Sequence, residues 1–171
     1  MEPAPLTLEL VHEATSPRMA DIRSLFEEYS KGLGIDLCFQ GFDRELRELP
    51  GDYRPPGGVL LLALADGQAA GCCALRPLKN DTYPNAAEMK RLYVRPSFRG
   101  KGIGKRLVAH VLTTAKRLGY SEVLLDTLQS MEEARALYQK VGFVEIPSYY
   151  SNPIAGAHYL KLTLSEASLA Y

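Results

Sequence analysis

The sequence predicts a mixed α/β (α+β) fold, a seven-stranded sheet flanked by about four helices. Three observations carry this. Seven short segments alternate or run apolar, as strands do, and four others repeat their apolar residues at helical spacing. The two kinds interleave in the order β-α-α-β-β-β-α-β-α-β-β, which calls for helices packed on a sheet. The 171 residues, 46% hydrophobic and 23% charged, suit one domain over residues 1–171.

The elements follow in order. Leu6 to Val11 alternates and reads as a first strand. Ser16-Pro17 has the form of an N-cap followed by proline in the first helical turn. Ile22, Leu25, Phe26 and Tyr29 then make one face of an amphipathic helix that Gly32 and Gly34 end. Residues 42–49 carry a short helical pattern, closed by the Gly/Pro-rich run from Pro50 to Gly58. Val59–Ala65, Asp66-Gly67 and Ala69–Leu78 form a hairpin, because Asp-Gly suits a two-residue turn. Ala87–Val94 is a fourth strand. Ile103, Leu107, Val108, Val111, Leu112, Ala115 and Leu118 mark a helix closed by Gly119, and Glu122–Asp126 is a fifth strand. Ser130 and Glu133 have the spacing of a capping box, ahead of a helix with Ala134, Leu137, Tyr138 and Val141 inside and Gly142 at its end. Phe143–Ile146 and Ala157–Leu164 are the last strands.

Composition excludes several classes. Twenty basic residues balance twenty acidic ones, so the net charge is zero and a nucleic-acid partner is not expected. Cys38, Cys72 and Cys73 form no Cys-x-x-Cys pair, and His12, His110 and His158 are scattered, which supports neither a disulfide framework nor a metal site. Free thiols and the lack of a basic-then-apolar leader suit the cytoplasm. Apolar runs such as Val59 to Ala65 fall far short of the ~20 residues that span a bilayer, so no membrane partner is expected.

The most informative segment is Arg99-Gly-Lys-Gly-Ile-Gly-Lys-Arg-Leu107. It follows a strand and opens a helix. Glycines let the backbone approach a ligand, and the helix start adds about half a positive charge, so the loop suits a phosphate or pyrophosphate. It is not a Walker A loop: Gly100 and Gly104 are one residue too close, and Arg106 stands where Ser or Thr would hold magnesium. It is not a Rossmann fingerprint, because counting from Gly102 and Gly104 puts bulky Leu107 at the last glycine position.

Arg99-x-x-Gly102-x-Gly104 matches an R/Q-x-x-G-x-G/A motif, and the sequence resembles the GNAT superfamily of acetyl-CoA-dependent N-acetyltransferases. Glu88-Met-Lys-Arg-Leu-Tyr-Val94 resembles the strand before that motif, and Ala134-Arg-Ala-Leu-Tyr-Gln-Lys-Val-Gly-Phe143 the A-x-x-L-Y-x-x-x-G-F signature after it. Residues 86–146 carry the likeness; the earlier part agrees in pattern only. The resemblance implies a mostly antiparallel sheet with a central splay between two parallel strands, Ala87–Val94 and Glu122–Asp126.

It also implies roles. Acetyl-CoA would lie in the splay, with the amides of Leu92, Tyr93 and Val94 pairing with its pantetheine arm and polarising the thioester carbonyl. The amides of Arg99, Gly100, Lys101, Gly102, Ile103, Gly104 and Lys105 would hold the pyrophosphate. Tyr138 falls at the acid position: a phenol (pKa about 10) can protonate a departing thiolate (about 8.5) within hydrogen-bond reach. Read without the motif, Tyr138 is part of the apolar stripe with Leu137 and Val141. Glu88 falls where some members carry a general base for the ammonium; a carboxylate paired with Lys90 or Arg91 on the strand is the other reading. One position departs: Met131 stands where members often carry an Asn that bonds the pantetheine arm.

The expected activity is acetyl transfer from acetyl-CoA to a primary amine, with the amine of a small or amino-acid-like molecule attacking directly in a ternary complex. A protein lysine or N-terminal acetyltransferase, and a non-catalytic acyl-CoA sensor, stay open. No metal is expected. Segment 26–57 and the Pro147–Ala157 loop would set the acceptor; Arg44, Arg47 and Arg54 there could meet a carboxylate, but solvated surface arginines are the ordinary reading. The oligomeric state is not legible, and a homodimer stays open.

Overall fold

Seven strands form one sheet in the order β1-β2-β3-β4-β5-β7-β6. In the computed structural model, which describes residues 5–37 and 41–164, the elements are β1 (Leu6–Leu10), α1 (Met19–Leu33), α2 (Phe42–Glu48), β2 (Val59–Ala65), β3 (Gln68–Leu78), β4 (Ala86–Val94), α3 (Ile103–Arg117), β5 (Glu122–Leu128), α4 (Glu132–Val141), β6 (Val144–Ile146) and β7 (Ala157–Thr163). Cys38 lies outside the described residues. All pairings are antiparallel except β4 with β5.

The sequence explains the layering. Every residue of β2 is buried, as expected of a strand covered on both faces. Leu61, Ala63, Cys73, Ala87, Met89, Val123 and Leu125 point to α3 and α4 and share a core with Leu107, Val111 and Tyr138. Leu60, Leu62, Cys72 and Ala74, one residue out of phase, point to α1 and α2 and pack on Ile22, Phe26 and Phe42. Leu107 and Leu112 are fully buried, and truncating either to Ala would cost about 2–5 kcal/mol. The β2–β3 turn places Asp66 at φ 51° and Gly67 at φ 76°, the conformation that the Asp-Gly pair predicts.

Some boundaries differ from expectation. Ser16-Pro17 does not open α1. Ser16 instead closes a turn, its Oγ accepting the Arg18 amide at 3.2 Å and its carbonyl the Met19 amide at 3.0 Å, and the helix begins at Met19. The capping box at Ser130 does not form. Pairing with β7 carries β5 on to Leu128, beyond the expected Asp126. The Met131 amide then donates to Leu128, so Met131 is the N-cap and caps through no side chain. Phe143 is not yet strand: its amide donates to the Tyr138 carbonyl, closing α4 behind Gly142 at φ 113°, and β6 starts at Val144.

Candidate active site

β4 and β5 pair through Ala86–Glu122, Ala87–Val123 and Glu88–Leu124, and no farther. Beyond Glu88 the two strands part. The β3–β4 register slips between Cys72 and Ala74, and Arg91 takes a left-handed backbone at φ 61°. A β-bulge bends its strand and ends regular pairing. A non-glycine residue held in that region costs on the order of 1–3 kcal/mol and persists only if its surroundings fix it. Here they do. The buried Arg91 guanidinium is paired with Glu45 of α2 at 2.9 Å and lies over the rings of Phe42 (5.3 Å) and Tyr29 (5.7 Å). The Tyr53 hydroxyl also donates to Glu45, at 2.9 Å, and the Cys72 thiol donates to the Arg91 carbonyl at 3.3 Å.

Along the edge of β4 that this parting exposes lies a cleft of about 540 Å³. One wall is β4, at Leu92, Tyr93 and Val94; the other is the start of α4, at Ser130 to Ala134 and Leu137, with Tyr29 and Leu33 of α1 above. At one end stand Arg99, Gly100, Gly102, Ile103 and Gly104. Gly100 and Gly102 have φ of 79° and 76°, so the loop coils left-handed before α3. A helix leaves its first four N–H groups unbonded, and α3 aims its start at this cleft. Gly104 sits in the first turn; a Cβ there would stand 3.8 Å from Leu137 and Val94, in the cleft. Arg99 turns back onto the strand, donating to the Val94 carbonyl at 2.8 Å. Lys101 and Lys105 are exposed at the rim and do not line the cleft.

Next to the cleft, and sharing Tyr29, Leu92 and Met131 with its lining, is a small chamber of about 20 Å³. Tyr138 enters from the α3–α4 face; Lys90 and Asp126 enter from the other. Tyr138 is buried against Phe143, and burial raises its phenol well above the usual value.

The face opposite α3 and α4 is ionic. Glu88, 2% exposed, accepts from Arg76 of β3 at 2.8 Å and from the Tyr149 hydroxyl at 2.6 Å. Burial raises the Glu88 carboxyl, but the charges of Lys90 and Arg76 and the Tyr149 hydrogen bond outweigh it, so its pKa lies below the usual value. Lys90 is 3.8 Å from Asp126; burial lowers its ammonium despite Glu88 and Asp126 nearby. The Tyr150 hydroxyl donates to the second Asp126 oxygen at 2.5 Å. Tyr149 and Tyr150, from the β6–β7 loop, pack with Tyr159 of β7, ring centroids 5.4 to 5.7 Å apart.

Of the residues singled out from the sequence, Leu92, Tyr93, Val94, Arg99, Gly100, Gly102, Ile103 and Gly104 line the cleft and Tyr138 the chamber; Glu88 lines neither, and Lys101 and Lys105 stay outside. Glu88 is paired with Arg76 and also feels the charge of Lys90. Arg44 points to solvent beside Glu48, so the cations that face the chamber are others. Sequence reasoning missed Arg76, Lys90, Asp126, Tyr149 and Tyr150. The available signal was charge inside apolar strands: Lys90 alternates with Met89, and Asp126 ends the run Val123 to Leu125. Among the described residues, no cluster of His, Cys, Asp or Glu could hold a metal ion, and no helix is long and apolar enough to cross a membrane.

Known proteins share this architecture. The sequence profile described as "Acetyltransferase (GNAT) family" matches residues 20–143. An uncharacterised N-acetyltransferase of Schizosaccharomyces pombe is 41% identical over 147 residues, covering 85% of this chain and 88% of that protein. The N-acetylaspartate synthetase of Rattus norvegicus is 39% identical over 90 residues, 53% of this chain and 29% of that protein. Among solved structures, a GNAT-family acetyltransferase from Staphylococcus aureus superposes with a TM-score of 0.73 at 22% identity, over 92% of this chain and 99% of that one. The PaiA N-acetyltransferase of Thermoplasma acidophilum, in complex with coenzyme A, gives 0.67 at 18% identity, over 93% and 99%.

Proposed function

Because the chain belongs to the acetyltransferase (GNAT) family, we propose that it transfers an acetyl group from acetyl-CoA to the primary amine of a small, amino-acid-like molecule. One observation carries this reading: a glycine-lined cleft at a helix start adjoins, where the sheet forks, a small chamber lined by Lys90, Arg91 and Asp126. The coenzyme A held by the PaiA protein and the stretch shared with N-acetylaspartate synthetase support it.

The residues fit the cofactor. Unbonded amides at the start of α3, with the coiled loop from Arg99 to Lys105, suit a pyrophosphate. The β4 edge at Leu92, Tyr93 and Val94 lacks a strand partner on the side of β5, which leaves it open to an extended arm. Acetyl-CoA supplies an acyl thioester there, whose carbon accepts the amine. Amides held rigidly at that edge favour charge developing on the carbonyl oxygen, since they need no reorganisation.

Tyr138 reaches the chamber as a protonated phenol across the whole physiological range, because burial keeps its pKa high. It therefore donates a hydrogen bond to the departing thiolate and makes it a better leaving group. Glu88 stays ionised but does not line the chamber; its low basicity suits a fixed negative charge whose field favours a bound ammonium, while the ammonium's proton passes to water. The ammonium loses two protons in all: one leaves with the CoA thiol, the other goes to solvent.

Thiol release from acetyl-CoA across a panel of amines, amino acids, polyamines, aminoglycosides and peptides tests this reading. Amine-dependent release is expected. Tight acetyl-CoA binding without release for any acceptor would make the chain an acyl-CoA sensor. Release with peptides alone would make it a protein acetyltransferase.

A further inference from the structure

The buried charges on the acceptor side of the fork are matched in pairs: Arg76 with Glu88, Lys90 with Asp126 and Arg91 with Glu45. Any acceptor that enters brings its own charge into a region of low dielectric. A simple ammonium or a polyamine would leave net positive charge there, which is costly in a buried site. A zwitterion leaves the balance intact.

The pairs are not equally tight. Lys90 and Asp126 stand 3.8 Å apart, against 2.8 Å for Arg76–Glu88 and 2.9 Å for Arg91–Glu45. Asp126 is also the most open of the three carboxylates, its side chain 15% exposed against 2% and 11% for Glu88 and Glu45. Its outer oxygen is held by Tyr150, a half-buried residue on the loop between β6 and β7. Asp126 and Lys90 both line the chamber that Tyr138 and Leu92 enter from the cleft. The loosest pair is thus the one at the fork.

We propose that the acceptor is a zwitterionic amino acid whose ammonium takes the place of the Tyr150 hydroxyl on Asp126 and whose carboxylate is met by Lys90. Asp126 and Lys90 then set acceptor specificity, and Tyr150 is the residue that the acceptor displaces. This rests on the N-acetyltransferase reading above. The ammonium has the donor that Tyr150 supplies to Asp126 now, with full charge, which strengthens the bond. Lys90 has three N–H donors and is held at the fork by Asp126.

The test compares thiol release by the whole enzyme for three acceptors: an amino acid, its methyl ester and the corresponding decarboxylated amine. The wild-type kcat/KM for the amino acid is expected to exceed that for either analogue by about tenfold or more, because a site built for a carboxylate rejects a ligand that lacks one. In Lys90→Gln the ratio between amino acid and decarboxylated amine is expected to fall toward one, whatever loss the two share. If Lys90→Gln does not fold, the wild-type ratios still decide. Equal wild-type rates, or a preference for the ester or amine, would overturn the zwitterion proposal and leave the acetyltransferase standing. Thiol release with no acceptor at all would instead bring down the reading on which it rests.

Discussion

Arg91 and Glu45 are joined by two hydrogen bonds, 2.9 and 3.1 Å, that tie the bulge of β4 to helix α2. The bulge leaves the Leu92–Val94 edge without β5 as a partner, and Arg91 itself lines the chamber behind that edge. Glu45→Ala leaves a buried guanidinium without its carboxylate and is expected to cost about 3–5 kcal/mol. Urea unfolding measures the loss. A cost near zero would mean that the stacking of Arg91 on Phe42 and Tyr29 is enough to fix the bulge.

Gly102 precedes α3 at φ 76°, with open space around the position of a Cβ. Gly102→Val meets no clash but must adopt a backbone that β-branched residues avoid. The loop is expected to rearrange and acetyl-CoA binding to weaken by at least about 1–3 kcal/mol through lost amide contacts. Calorimetry with acetyl-CoA gives the number, and unchanged affinity would remove the pyrophosphate cradle from this loop.

Tyr138→Phe removes a hydroxyl and keeps the ring that packs on Phe143. If the hydroxyl acts on the leaving thiolate and not on the bound thioester, acetyl-CoA affinity is expected to hold while kcat falls. The deficit is expected to shrink at low pH, where water and buffer protonate the thiolate more easily. Full turnover in the variant would reduce Tyr138 to a core residue.

Glu88→Gln separates a fixed charge from a base. If Glu88 attracts the ammonium and relays its proton, the deficit in kcat/KM is expected to be largest near neutral pH and to narrow as free amine becomes abundant. A loss that is the same at every pH points to positioning alone. Stability carries its own sign. The Glu88 pKa in the folded protein lies below 4.5, so its contribution is present above that pH and is lost as pH falls through the folded value. Wild type is therefore expected to lose stability more steeply in acid than Glu88→Gln. Lys90 acts at the other end: its lowered pKa makes stability rise as pH climbs toward 10.5.

The fold was readable because its signals are local. The Asp-Gly turn, the helical stripe from Ile103 to Ala115 and Gly142 after α4 each act within a few residues. The glycine loop was legible for the same reason. The ionic face around Glu88 was not. Tyr149 lies 61 residues from Glu88, and Arg76 faces Glu88 only through the register of β3 with β4. Such pairs are set by strand order, which no spacing along the chain records. Ser130 shows the reverse error: its local pattern favours a cap, but pairing of β5 with β7 extends the strand and moves the helix start to Glu132.

The most direct test of the whole reading is the fate of the acetyl group itself. The protein is incubated with acetyl-CoA carrying an isotopically labelled acetyl group and with an amino-acid acceptor, and the products are followed by NMR. The label is expected to leave the thioester and appear as an amide on the acceptor nitrogen, with one free CoA thiol for each amide formed. Labelled thioester that stays intact while bound, or label that appears as free acetate at a rate indifferent to the amine, would contradict the assignment of this chain as an N-acetyltransferase.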